Sequence, residues 1–284
     1  MNLTNINEVK ELLGRHGFHF SKSLGQNFLI ASWVPEDIAA SALLDENTGV
    51  LEVGAGIGCL TEQLSMRAGK VVCVELDNSL RPVLAETLKG RDNVEIVYGD
   101  IMKQDIPALV KEKFGDMRCV VCANLPYNIT SPVLTAFIES KCFDAVTVMI
   151  QREVAKRICA KPGNADYGAF SLFVQWYMET ELLFDVPASC FVPQPKVTSA
   201  VIRLKKREKP QGVVKDEELM FKIIRAAFNQ RRKTLVNAIS AGVNGISKEE
   251  AEQAIVESGL DARVRGEALG IEDFIKIADK LHRD

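Results

Sequence analysis

The chain has 284 residues, 47% of them apolar and 26% charged, with a net charge of −3. That length and balance suit one large or two smaller globular domains and exclude a disordered tail, a collagen-like repeat and a disulfide miniprotein. No apolar run approaches the ~20 residues of a membrane span, and Met1-Asn2-Leu3-Thr4-Asn5 lacks the basic and apolar regions of a secretory signal, so the expectation is a cytoplasmic protein without a membrane partner.

Residues 6–16 read as a helix. A polar, glycine-containing stretch follows at 21–29, then a second helix at 36–44 with Ile38, Ala39, Ala42 and Leu43 on one face. From residue 49 strand-like and helix-like segments alternate. Residues 49–53, 70–75, 94–97, 118–123 and 145–150 are short and rich in Val, Ile and Cys; helical patterns at 59–67, 79–88, 106–113 and 132–140 separate them. Such interleaving predicts a parallel sheet covered on both faces. Residues 184–206 carry Pro187, Pro193 and Pro195 and then an apolar run at 197–204. A charged linker at 205–212 leads into helical patterns only, at 217–228, 233–241, 248–258 and 272–282, which predicts a small all-helical second domain.

Seven cysteines cannot all pair within one chain, and their scatter suits a reducing compartment. Cys119-Val-Val-Cys122 lies in an apolar strand and reads as two core residues. His16, His19 and His282 show no ligand spacing, so no metal is expected. The charge is unevenly spread: Arg203 to Lys233 holds eleven basic residues and four acids, a net +7 within a chain of −3. The segment is a candidate nucleic-acid surface or a solvated linker and helix face.

Val50-Leu-Glu-Val-Gly54-Ala-Gly56-Ile-Gly58 runs a strand into a glycine-rich turn and a helix. Glycines such as Gly54 and Gly56 let a ligand approach the backbone, and open parallel sheets bind ligands at their strand ends. Cys59 stands where the dinucleotide GxGxxG pattern requires glycine, which disfavours a pyrophosphate ligand. The next strand ends Glu75-Leu-Asp77, where a carboxylate can accept from ribose hydroxyls. The third ends Tyr98-Gly99-Asp100, where a short acceptor can take an adenine amino group. A glycine turn, a ribose acid and an adenine acid at successive strand ends describe an adenosine ligand without phosphates, and S-adenosylmethionine fits.

The fourth strand ends Asn124-Leu125-Pro126-Tyr127. An exocyclic adenine amine is a poor nucleophile because its lone pair is conjugated into the ring. Two acceptors for its N–H groups can pyramidalise it and aim the lone pair. The Asn124 side-chain oxygen and the Leu125 carbonyl are candidates, with Pro126 fixing the turn and Tyr127 offering a face for the base. Phe191, in Phe191-Val-Pro193-Gln-Pro195-Lys196, is a candidate for the base's other face or a hydrophobic plug under a loop.

Together Ser23-Leu-Gly-Gln-Asn-Phe-Leu29, Glu52-Val-Gly-Ala-Gly-Ile-Gly58, Glu75-Leu-Asp77, Gly99-Asp100, Asn124-Leu-Pro-Tyr127, Phe191-Val-Pro-Gln-Pro-Lys-Val197 and Phe228-Asn-Gln-Arg-Arg-Lys-Thr-Leu235 resemble the bacterial small-subunit (16S) ribosomal RNA adenine N6,N6-dimethyltransferase family over nearly the whole chain. The resemblance implies an α/β class I S-adenosylmethionine-dependent methyltransferase fold, Rossmann-like, with a mostly parallel seven-stranded sheet ending in an antiparallel hairpin. Residues 1–206 would form the catalytic domain with an N-terminal helical extension, and 207–284 a helical rRNA-binding domain. Asn27, Leu29, Gly54, Glu75, Asp100 and Asn124 would line the S-adenosylmethionine site. The implied reaction puts two methyls on each of two adjacent adenosines in the 3′-terminal hairpin loop of 16S rRNA, on a late 30S assembly particle. Arg225, Arg231, Arg232 and Lys233 are candidate phosphate contacts, and a monomer is the default expectation.

Four rivals remain at this point. A large-subunit rRNA methyltransferase conferring macrolide resistance shares the cofactor and reaction motifs, but residues 191–197 and 228–235 favour the small-subunit enzyme. A non-catalytic assembly or transcription factor on the same fold would be expected to lose Glu75 and the Asn124–Tyr127 geometry. An NAD-dependent dehydrogenase is disfavoured by the glycine spacing. A DNA adenine methyltransferase shares an Asn/Asp-Pro-Pro-Tyr-like motif, and fold alone does not exclude it.

Overall fold

The structure is a computed structural model that describes residues 1–18, 26–209 and 211–283. Helix α1 (Ile6–Arg15) starts where the Asn5 side chain accepts from the Asn7 and Glu8 amides, and it buries Val9, Leu12 and Leu13. Strand β1 (Phe28–Leu29) and α2 (Trp33–Ala40) follow. The predicted second helix lay at 36–44. The observed one starts earlier because Pro35 is tolerated in a first turn, and it stops before Leu43, whose φ of +57° no helix accommodates.

Each predicted strand between residues 49 and 150 forms, alternating with helices: β2 (Thr48–Val53), α3 (Cys59–Ser65), β3 (Lys70–Glu75), α4 (Arg81–Thr87), β4 (Val94–Tyr98), α5 (Ile106–Phe114), β5 (Arg118–Asn124), α6 (Thr130–Ser140) and β6 (Ala145–Gln151). Then come α7 (Arg152–Cys159), α8 (Ala169–Tyr177), β7 (Met178–Val186), β8 (Phe191–Val192) and β9 (Ser199–Lys206). Seven strands make one sheet in the order β4-β3-β2-β5-β6-β9-β7. Strand β2 pairs in parallel with β3 and β5, β3 with β4 and β5 with β6, whereas β9 is antiparallel to β6. Chain order reverses beside β2, so the carboxyl ends of β2, β3 and β5 open onto a crevice, the usual ligand position in such sheets. Strand β2 is buried throughout. Its Val50 sits in a core with Val34, Ile38, Leu60 and Leu64 of α2 and α3, while α1 and α4 contribute Leu12, Leu13, Val83 and Leu84 to a second cluster. Each such side chain contributes roughly 1.5–3 kcal/mol through burial.

The chain divides into two compact units. The first is Met1–Ala155 with Thr180–Lys206, and the second is Lys156–Glu179 with Arg207–Asp284. The second contains α9 (Glu217–Asn229), α10 (Leu235–Gly242), α11 (Lys248–Glu257) and α12 (Ile271–Leu281). The sequence reading placed residues 156–179 in the catalytic domain, but they cluster with these helices. The reason is burial: Tyr167, Leu172 and Trp176 join Met220, Ile223, Leu235, Ile239, Phe274 and Ile277 in one core, and the Tyr167 hydroxyl donates to the Leu269 carbonyl at 3.0 Å. Ser247 and Glu250 close a reciprocal capping box on α11. No helix among the described residues is long and apolar enough to cross a membrane.

Candidate active site

The turn after β2 carries Gly54, Gly56 and Gly58 at φ of +77°, +56° and +93°. Side chains rarely adopt this region. A Cβ at Gly58 would press on Leu88 and Thr87 at 3.1 Å, but one at Gly54 would meet nothing within 4 Å. Gly58 is therefore held by its left-handed backbone in a tight fit, and Gly54, also left-handed, presents bare backbone to the cavity.

Glu75 ends β3 and is 5% exposed. Its Oε2 accepts from the Gly56 amide at 3.1 Å and its Oε1 from the Asp77 amide at 2.8 Å. Burial pushes its carboxyl above the ordinary range against the pull of those amides. Asp77 is held in turn: Oδ1 accepts from the Ser79 amide (2.9 Å) and hydroxyl (2.6 Å), and Oδ2 from Gln26 Nε2 (2.6 Å). Partial burial would raise Asp77, yet these hydrogen bonds outweigh it and hold the carboxyl low. A hydrogen-bonded chain thus links Gln26, Asp77, Glu75 and Gly56. Asp100 caps the turn after β4 through Met102 N at 2.9 Å, and the Gly99 amide is fixed to the Glu75 carbonyl at 2.9 Å.

Asn124 is the last residue of β5. The Leu125 amide donates to the Met149 carbonyl at 3.1 Å, and the Leu125 side chain is 1% exposed, so the main chain turns at a defined point. The Pro126 carbonyl accepts from the Ile129 amide at 3.2 Å, and Tyr127 opens a short 3-10 turn. Phe191 in β8 pairs with Leu29 in β1 and is 3% exposed; it belongs to the core cluster that includes Leu29, Val34 and Cys190 and also lines the cavity.

These elements line one half-open cleft with a cavity volume of about 140 Å³. Asn27, Leu29, Gly54, Gly56, Glu75, Asp100, Asn124, Leu125, Pro126, Tyr127 and Phe191, every cofactor and reaction residue predicted from sequence, line it. Ser23, Leu24 and Gly25 of the first motif lie outside the described residues. Sequence reasoning missed Gln26, Leu76, Ile101 and Ile129 in the lining. The signal was adjacency, since each flanks or sits inside a motif already singled out. It also missed the chemical state of Glu52. This side chain ends near the cavity, is 1% exposed, and its Oε2 has no hydrogen-bond partner among the described residues. Burial drives its carboxyl up to about 8, and the neighbouring Glu75 charge adds to the rise. The Thr61 hydroxyl and Cys73 thiol offset it only in part. Cys119 and Cys122 are buried in β5 and free of disulfides, as core residues would be.

The basic residues lie in the second unit. Arg225 is exposed on α9, and Arg231, Arg232 and Lys233 are exposed in the turn before α10. They differ in character. Arg231 Nη2 donates to the Ala165 carbonyl at 3.1 Å and reaches Glu267 at 3.4 Å, with its guanidinium 5.9 Å from the Phe228 ring. Arg225, Arg232 and Lys233 have no side-chain hydrogen bond or ion pair among the described residues, so of these four it is they that present uncommitted charge.

A doubly wound seven-stranded sheet with an adenosine-type cradle at β2–β4 and an Asn-Leu-Pro-Tyr turn after β5 defines a class I methyltransferase. The family model for ribosomal RNA adenine dimethylases matches residues 17–283. The chain belongs to that family. It is 45% identical over 280 residues to ribosomal RNA small subunit methyltransferase A of Geobacillus thermodenitrificans, covering 96% of this chain and 94% of the relative. It is 46% identical over 277 residues to the protein of the same name from Geobacillus kaustophilus, with the same coverage. Among solved structures, the 23S rRNA methyltransferase ErmE superposes with a TM-score of 0.70 at 25% identity, covering 90% of this chain and 99% of that one. A dimethyladenosine transferase from Plasmodium falciparum shares the fold with a TM-score of 0.74 at 24% identity, covering 88% and 95%.

Proposed function

We propose that this chain transfers methyl groups from S-adenosylmethionine to N6 of two adjacent adenosines in the 3′-terminal hairpin loop of 16S rRNA, in the cytoplasm, as a monomer acting on a 30S assembly particle. The observation that carries it is the convergence of Asn124–Tyr127 with Gly54, Glu75 and Asp100 on one cavity. The names of the relatives at 45–46% identity support the small subunit over the large as the substrate.

The residues present fit the cofactor. Gly54 offers open backbone, Glu75 is a buried acceptor already oriented by two amides, Asp100 follows the next strand, and Leu76 and Ile101 supply apolar walls. Asn27 and Leu29 would close the site from the N-terminal side. The cofactor when bound supplies an electrophilic methyl group. The chain's own contribution is aim: the Asn124 side-chain oxygen and Leu125 carbonyl accept from N6–H, drawing the lone pair out of conjugation. Tyr127 and Phe191 bracket the base. No protein nucleophile is required, and the methylated ammonium loses its proton to solvent. Arg225, Arg232 and Lys233 of the helical unit hold rRNA phosphates, and Arg231 positions their turn.

The test is transfer of labelled methyl from S-adenosylmethionine to small subunits lacking this modification, followed by digestion to nucleosides. N6,N6-dimethyladenosine mapped to the 3′-terminal loop is expected. Label in large-subunit RNA, or none, would refute the assignment.

A further inference from the structure

The Tyr127 hydroxyl lies 2.7 Å from Ser199 Oγ. Ser199 is the first residue of β9 and is fully buried. The three residues that follow it along the strand, Ala200, Val201 and Ile202, are buried and apolar, so the hydroxyl sits at the end of an apolar run. The register explains how the two residues meet. Asn124 at the end of β5 pairs with Met149 of β6, and Gln151, two residues further along β6, pairs with Ser199. The hydrogen bond therefore reaches across the end of β6, joining the reaction turn to a strand 72 residues away.

We infer that Ser199 is a positioning residue for methyl transfer: through the phenol it holds the axis of the Tyr127 ring, against which the target adenine stacks, in one direction beside the cavity. This rests on the function proposed above. The backbone of Tyr127 is set by Pro126, but a tyrosine ring still turns about its side-chain bonds. A second anchor at the phenol oxygen, which lies on the ring axis, stops that axis swinging about Cα–Cβ, and the in-plane preference of the phenol O–H biases the ring plane. The effect is greatest in the second methylation. Monomethylated N6 keeps a single N–H for the two acceptors at Asn124 and Leu125, so stacking carries more of the alignment.

The experiment compares Ser199→Ala, Tyr127→Phe and the double variant in single-turnover methyl transfer to unmodified small subunits. S-adenosylhomocysteine affinity is measured by calorimetry, and mono- and dimethyladenosine are quantified. Each single variant is expected to lower the rate about tenfold, as expected when a bound geometry loosens, with cofactor affinity within about twofold of wild type. The double variant should be no slower than the slower single one, because the pair acts as a unit. Monomethyladenosine should accumulate in all three. Wild-type rate and product ratio in Ser199→Ala would overturn the inference. So would effects that multiply in the double variant, or a parallel loss of rate, cofactor affinity and melting temperature, which would make Ser199 merely a core residue. Failure of the wild-type protein to methylate adenosine would instead refute the proposed function, and that control is independent of the variants.

Discussion

Replacing Glu52 with Gln removes an ionisable group that the fold holds neutral. In the unfolded chain this carboxyl loses its proton near 4.5, while in the native protein it keeps it up to about 8. Between those limits folding takes up a proton, so Glu52 lowers stability by about 1.4 kcal/mol for each pH unit gained. The sign follows from the raised value: the native state is favoured below 4.5, and that advantage is lost as pH rises toward 8. At pH 7 Glu52→Gln should therefore recover about 3 kcal/mol, less about 1 kcal/mol if the amide protons find imperfect partners beside Thr61. That last loss is independent of pH. Urea or guanidinium denaturation of the cofactor-free protein and the variant, from pH 5 to 8.5, measures the difference. It should widen with pH up to about 8 and level off above that. A difference that stays constant across the range would show that Glu52 is ionised in the native state and would refute the reasoning.

Asn124→Ala should lower methyl transfer at least a hundredfold while leaving thermal melting close to wild type, since it removes an acceptor for the reacting amine; near-normal turnover would exclude the acceptor mechanism. Arg232→Ala with Lys233→Ala should flatten the salt dependence of particle binding by a log–log slope of about 1–2. Arg231→Ala should instead lower stability by roughly 1 kcal/mol or less, since its bonds to Ala165 and Glu267 are partly exposed. Equal salt effects from both sets would contradict that division. Glu75→Gln should weaken S-adenosylhomocysteine binding in calorimetry, because an amide cannot accept at both oxygen positions from Gly56 N and Asp77 N; unchanged affinity would remove Glu75 from the site.

What the sequence revealed and what it concealed have physical explanations. Strands β2, β3, β5 and β6 are buried on both faces, so continuous Val and Cys runs mark them. The motifs at their ends could be placed in order, which is enough to assemble the cavity on paper. Strand β7 was invisible because it lies at the sheet edge. Glu179, Glu181 and Asp185 are exposed there and break the apolar pattern. Strands β1 and β8 have two residues each and exist only through mutual pairing. Helix α8, with Phe170, Leu172, Phe173, Val174 and Trp176 in close succession, has no clean helical stripe, and its burial depends on side chains from α9 to α12. The Tyr127–Ser199 bond requires the β5-β6-β9 register, which no local pattern encodes.

The interleaved assignment of residues 156–179 has a consequence for synthesis and for truncation. During translation the segment emerges before β7 and β9, which complete the sheet, and before α9 to α12, which supply its core. A nascent chain that has reached residue 206 can close the seven-stranded sheet, but it leaves Tyr167, Leu172 and Trp176 without the apolar surface that covers them in the finished protein. A stop at that linker would therefore not release a clean catalytic module. It would release one bearing a sticky aromatic excursion, prone to self-association and to capture by chaperones. A soluble half would have to replace residues 156–179 with a crossover long enough to run from the carboxyl end of β6 back to the start of β7, because the two strands run in the same direction on either side of β9.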